Sequence, residues 1–185
     1  CEVIGLTMSI WDATLPDTVS KKSGCFGPGE ADDIAAAHET AERLGIEHST
    51  IPLAREYRQW VLDEFTDRRL AGYTPNPCAV CNPVMKFGFL LSHARERGIC
   101  FDRFATGHYA RVVRDEVAGL YRLLRGVDTT KDQSYFLARL KQAQLAELIF
   151  PLGEKTKSEV RELACRAGLE KLAVKSESQD FFEGE

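Results

Sequence analysis

Short apolar or β-branched runs alternate with stretches of helical period, and that order constrains the fold more than any other feature of these 185 residues. Residues 3–10 read as a buried strand. Asp32 or Asp33 can cap a helix that runs to Leu44, with Gly45 as its stop. Residues 46–53 form a second strand. A helix over 56–70 places Tyr57, Trp60, Val61 and Phe65 on one face. Gly72-Tyr73-Thr74-Pro75-Asn76-Pro77 ends that helix in an extended, turn-rich loop, because proline fixes its own φ and pushes the preceding residue out of the helical region. A third helix covers 83–97 and closes at Gly98. Residues 99–105 are a short strand entering Thr106-Gly107-His108. The order β-α-β-α-α-β predicts a parallel sheet covered by helices.

The texture changes after His108. Residues 109–113 and 119–124 predict a hairpin, followed by short helices around 135–140 and 142–149. Thr156-Lys157-Ser158-Glu159 is a capping box that opens a helix to Ala167, with Gly168 as its stop. The expected division is an α/β domain over 1–113 and a hairpin plus helix-rich appendage over 114–185. Hydrophobic residues make up 44% and charged residues 28%, which excludes disordered and collagenous chains. No run approaches the roughly 20 apolar residues of a spanning helix, so no membrane partner is expected. The net charge of −4 argues against bulk polyanion binding and leaves room for a local basic face. Six cysteines with no secretory signal point to a reducing compartment, the cytoplasm.

Chemistry concentrates at Pro75-Asn76-Pro77-Cys78-Ala79-Val80-Cys81-Asn82. Two cysteines three apart open a helix, whose N-terminal end favours the thiolate. Lys86 adds positive charge nearby. A C-x-x-C pair can be a redox dithiol, half of a zinc site, part of an iron–sulfur site, or two partly buried cysteines with no role. The other cysteines are isolated, and the histidines show no H-x3-5-H spacing, so a zinc site lacks its second pair.

Ala105-Thr106-Gly107-His108 lies where a strand ends, the place ligands occupy in open parallel sheets. Gly107 permits close approach of a nucleotide, and His108 offers a donor or acceptor; a structural turn with a structural histidine fits the same residues. Lys131-Asp132-Gln133-Ser134 can meet phosphate, sugar or base groups, and Arg122, Arg125 and Arg139 make this a small basic patch. A solvated helix start capped by Asp132 fits equally. Met8 can pack on a flat ring or simply in a core.

In order along the chain, these stretches resemble the bacterial tRNA-specific 2-thiouridylase family, known as MnmA or TrmU. The resemblance rests on Gly5-Leu6-Thr7-Met8 with Trp11-Asp12, Thr74 to Asn82 with Lys86-Phe87-Gly88, and Ala105 to Ala110. It continues through Leu124-Arg125-Gly126-Val127-Asp128, Lys131 to Leu137, Phe150-Pro151-Leu152-Gly153 and Glu177-Ser178-Gln179-Asp180. It implies a Rossmann-like parallel sheet of the ATP-pyrophosphatase type (adenine nucleotide alpha-hydrolase-like) with a small helix-rich domain appended. The implied reaction uses ATP, with Mg2+, to adenylate C2 of the wobble uridine in tRNA; sulfur from a persulfide donor protein then gives 2-thiouridine. By position, Cys81 matches the nucleophile, and Asn76, Pro77 and Cys78 match the loop at the target base. Met8 and Gly107 match ATP contacts. His108, Lys131, Asp132 and Gln133 match tRNA contacts.

Three departures qualify the match. The family's Ser-Gly-Gly-x-Asp-Ser phosphate loop is absent, and its place is just before residue 1. The resemblance therefore implies a fragment lacking that loop and the C-terminal barrel, and both chain ends are expected to be cut. Cys78 stands where the family has Asp. Phe181 and Phe182 follow Ser178-Gln179-Asp180, where a persulfide cysteine is expected. Together these imply that Cys78 and Cys81 form the sulfur-handling pair, within reach of a mutual disulfide. An iron–sulfur cluster resting on Cys78 and Cys81 is the rival arrangement. The competing class is a catalytically incomplete tRNA-binding or thiol-binding relative without the phosphate loop.

Overall fold

A computed structural model describes residues 1–11 and 26–170. Asp12, the Ser178-Gln179-Asp180 stretch and Phe182 lie outside the described residues. The chain divides into two compact units at Ile99–Cys100.

In the first unit, β1 (Ile4–Ser9) and β2 (Glu47–Pro52) pair in parallel, with Ile4 opposite Glu47 and Met8 opposite Ile51. Helix α1 (Glu30–Leu44) connects them and ends at Gly45, whose φ of 66° gives the left-handed turn the sequence predicts. This is the β-α-β unit expected from the alternation, and it makes the fold α/β. Asp32 and Asp33 do not cap α1. The helix starts earlier, at Glu30 after Gly29, and both aspartates sit inside its first turn.

A long helical path follows: α2 (Ala54–Tyr57), a π-helical stretch Arg58–Asp63, and α3 (Glu64–Leu70). Tyr57 and Val61 are buried as expected, but Trp60 is 45% exposed. The wider π turn shifts the phase of the helix face, and a strict 3.6-residue period misses that shift.

The second helical path begins at α4 (Pro77–Cys81), passes through a π-helical stretch Asn82–Phe89, and ends with α5 (Leu90–Glu96). The expected start at residue 83 is too late. Asn76 caps the helix by accepting from the Ala79 N–H at 3.2 Å, and Pro77 sits where its missing N–H costs nothing. Pro83 lies inside the path. It cannot donate to Ala79, and the widened turn is how the helix accommodates it. That turn brings residue 88 onto the Pro83 carbonyl: a Cβ there would lie 3.0 Å from that oxygen, so only glycine fits without displacement. Ile51, Leu53, Tyr57, Val61, Met85, Leu90 and Ala94 are core residues of this unit.

The second unit contains a parallel pair, β3 (Phe104–Ala105) with β6 (Leu148–Ile149), and an antiparallel hairpin, β4 (Ala110–Asp115) with β5 (Leu120–Arg125). Helices α6 (Ser134–Leu137), α7 (Gln142–Glu147) and α8 (Lys157–Arg166) complete it. The sequence pattern predicts 99–105 in the first sheet and a boundary after residue 113. Instead β3 is two residues long and pairs with β6, and Cys100, Asp102 and Arg103 before it are exposed rather than buried in a sheet. With β3 and β4 both paired to later strands, the unit starts before them. The capping box forms as read: Thr156 accepts from the Glu159 N–H at 3.3 Å, and Glu159 accepts from the Thr156 N–H at 2.6 Å.

Candidate functional site

The cysteine pair sits on the opening turns of a helix, α4. Cys78 and Cys81 are three residues apart on α4, which puts them on one side of the helix. Both are half-buried and both are thiols. Asn82 is 5% exposed, and its side-chain amide donates to the Cys78 carbonyl at 3.0 Å. Asn76, Pro77, Cys78 and Cys81 thus form one rigid element packed on the π-helical stretch Arg58–Asp63. The expected lowering of the Cys78 pKa does not hold. Burial pushes this thiol up, and the Lys86 ammonium only pulls it partly back.

Met8 lies in β1, half-buried, near the carboxyl end of the strand. That end is fixed by a residue the sequence reading did not single out. Glu30, the first residue of α1, accepts from Ser9 Oγ at 2.8 Å, from the Ile10 N–H at 2.7 Å and from the Trp11 N–H at 3.0 Å. A carboxylate directly after Gly27-Pro28-Gly29 was the available signal. It supplies acceptors for backbone donors that have left the strand ladder.

Gly107 and His108 belong to the second unit. Gly107 is exposed, and a Cβ there would meet only Leu152 Cδ1, at 3.5 Å. His108 is 9% exposed; its Nδ1 lies 2.7 Å from Thr106 Oγ1 and its ring packs edge-on to Phe150. The Lys131-Asp132-Gln133 stretch lies against the same segment. Gln133 Oε1 accepts from the Tyr109 N–H at 2.9 Å, and the Gln133 N–H donates to the Tyr109 carbonyl at 3.0 Å. Asp132 accepts from the Gly126 N–H, the Ser134 N–H and Ser134 Oγ, and it pairs with Arg125 at 3.7 Å. Asp132 and Gln133 therefore spend their side-chain oxygens inside the unit. The structure brings His108 together with Gln133 through Tyr109, and it brings Cys78 together with Cys81, Asn76 and Pro77.

Among the described residues, no group of three or more His, Cys, Asp or Glu side chains is arranged to hold a metal ion. The iron–sulfur arrangement on Cys78 and Cys81 has no third ligand there and is not supported. Among the same residues, no helix is long and apolar enough to cross a membrane.

Proteins described as tRNA-specific 2-thiouridylase MnmA match nearly the whole chain. The one from Endomicrobium trichonymphae is 45% identical over all of this chain and 51% of its own length. Those from Geobacter metallireducens and Magnetococcus marinus are 47% and 45% identical over 97% of this chain and 48% of their own lengths. The chain thus spans about half the length of the curated relatives it matches. A family described as the tRNA methyl transferase HUP domain, a Rossmann-like α/β type, matches residues 1–182. With the β-α-β unit, the cysteine helix and the Thr106-Gly107-His108 turn each in place, the chain belongs to the tRNA methyl transferase HUP domain family.

Proposed function

We propose that the full-length protein is a cytoplasmic, ATP-dependent sulfurtransferase that converts the wobble uridine of tRNA to 2-thiouridine. The observation that carries this reading is the pair Cys78 and Cys81 on one side of a capped, buttressed helix start. A sulfur-transferring enzyme needs a nucleophilic sulfur and a second thiol to release it, held at fixed separation. ATP, with Mg2+, supplies the chemistry that turns the C2 oxygen of uridine into a leaving group. Met8 and Gly107 serve the nucleotide, Asn76 and Pro77 the target base, and His108 with Lys131 the tRNA, while Asp132 and Gln133 hold that stretch in place through Gly126 and Tyr109. The second unit, from Cys100 onward, is the start of a tRNA-binding domain.

Cys81 receives sulfur from a persulfide donor protein and carries it as Cys81–S–SH. The outer sulfur bonds to C2 as the activated oxygen leaves. Cys78 then gives up its thiol proton to solvent and attacks Sγ of Cys81, which breaks the sulfur–sulfur bond, leaves one sulfur on C2 and joins Cys78 to Cys81. An external thiol reduces that disulfide to reset the pair.

Nucleoside mass spectrometry of tRNA treated with full-length variants tests the reading. Cys81→Ser abolishes 2-thiouridine. Cys78→Ser abolishes multiple turnovers, and full activity in that variant would remove Cys78 from the mechanism.

A further inference from the structure

The segment before β4 is held by an unusual concentration of backbone contacts. The Tyr109 peptide is gripped on both sides by one residue: Gln133 Oε1 accepts its N–H at 2.9 Å, and the Gln133 N–H donates to its carbonyl at 3.0 Å. That carbonyl is also approached by Gly126, where a Cβ would lie 2.8 Å from the oxygen. The next carbonyl, of Ala110, would be 1.9 Å from a Cβ on Gly153. Asp132 secures the collar by accepting from the Gly126 N–H at 3.2 Å. Tyr109 and Ala110 are themselves buried, at 6% and 0% exposure. His108 is the residue immediately before this clamped peptide, and its ring is set by Thr106 and Phe150.

We propose that Gln133 is a positioning residue for His108, acting through the Tyr109 peptide rather than by touching nucleic acid. The inference rests on the tRNA reading above for its functional consequence. The clamp needs only an acceptor at the side-chain oxygen, because the second bond uses the backbone N–H of residue 133. This makes the role chemically separable from a direct contact. A carboxylate at the same position still accepts from Tyr109 but repels RNA phosphates; a thioether of similar length does neither.

The experiment compares Gln133→Glu and Gln133→Met in the full-length protein. It reads amide hydrogen exchange over residues 106–110 and binding of a total tRNA preparation. Gln133→Met should speed exchange at Tyr109 and weaken tRNA binding, each about tenfold, the scale of one lost hydrogen bond. Gln133→Glu should hold both within about threefold of the parent protein. If Gln133→Glu protects Tyr109 yet binds tRNA as weakly as Gln133→Met, the side chain touches RNA and the positioning role is wrong. It is equally wrong if Gln133→Met leaves the Tyr109 amide protected. If the parent protein binds no tRNA, the tRNA reading falls, and the exchange measurement alone decides whether Gln133 holds the His108 segment.

Discussion

Asn82 donates its side-chain amide to the carbonyl of Cys78 at 3.0 Å, across the turn that carries both candidate sulfur-handling residues. The same carbonyl accepts the Asn82 backbone N–H, so one buried residue ties this turn twice. Asn82→Ala should therefore destabilise the protein by about 1–2 kcal/mol, the cost of one lost bond in a buried setting. Asn82→Asp should cost more, because its carboxylate oxygen would face the carbonyl it now bonds. Urea unfolding of both variants checks the order, and equal stability of all three proteins would mean that this contact does not hold the cysteine turn.

The ionisation of Cys78 gives a second test. Burial raises this thiol above the ordinary range and Lys86 opposes the rise. At neutral pH the thiol is held protonated, so iodoacetamide should modify Cys78 more slowly than an exposed cysteine. The rate should climb only as the pH passes above about 8.5, the ordinary thiol value. Lys86→Met should move that climb further up. Since the raised folded value disfavours the thiolate, Cys78 stabilises the fold below the ordinary thiol pKa and loses that contribution as pH rises through the folded value. Peptide mass spectrometry of alkylation against pH resolves Cys78 from the other cysteines.

Two glycines distinguish packing from ligand binding. A Cβ at Gly153 would lie 1.9 Å from the Ala110 carbonyl oxygen, whereas one at Gly107 would meet Leu152 Cδ1 at an ordinary 3.5 Å. Gly153→Ala should thus cost about 3 kcal/mol, since a backbone carbonyl cannot step aside as a side chain can. Gly107→Ala should stay within about 0.5 kcal/mol of the parent protein. A loss of ATP affinity in Gly107→Ala, measured by calorimetry on the full-length protein, would then report on a nucleotide contact and not on the fold.

Local chemistry made much of this legible from sequence. Thr156 and Glu159 form the reciprocal cap because serine- and threonine-type caps act within four residues. Gly45 stops α1 for a reason equally local. The misreadings arise where tertiary geometry acts. Pro83 reads as a helix start, but Asn76 and Pro77 had already begun the helix, and a π turn absorbs Pro83. Trp60 follows the 3.6-residue period on paper and is turned outward by the π stretch. Asp132 and Gln133 read as surface donors and acceptors for RNA. Their partners, Gly126 and Tyr109, come from other strand ends and loops, which no local pattern encodes.

Acid should weaken the second unit through its buttressing carboxylates. Asp128 is held below the usual range by the Thr130 hydroxyl and by the Lys157 N–H at the start of α8. Burial raises Asp132, but the Ser134 N–H and hydroxyl, the Gly126 N–H and Arg125 outweigh it and the net shift is down. A depressed folded value means that each carboxylate stabilises the fold above its ordinary pKa, and that this contribution fades as pH falls through the folded value. Unfolding by urea should therefore become easier as the pH drops below about 4, the ordinary aspartate value. Asp132→Asn should flatten that dependence while keeping an oxygen to accept from Gly126 and Ser134. Because Asp132 anchors Gly126 beneath the Tyr109 carbonyl, the loss should appear first as faster amide exchange over residues 106–110. Acid-insensitive exchange there would show that the Asp132 bonds do not hold the collar.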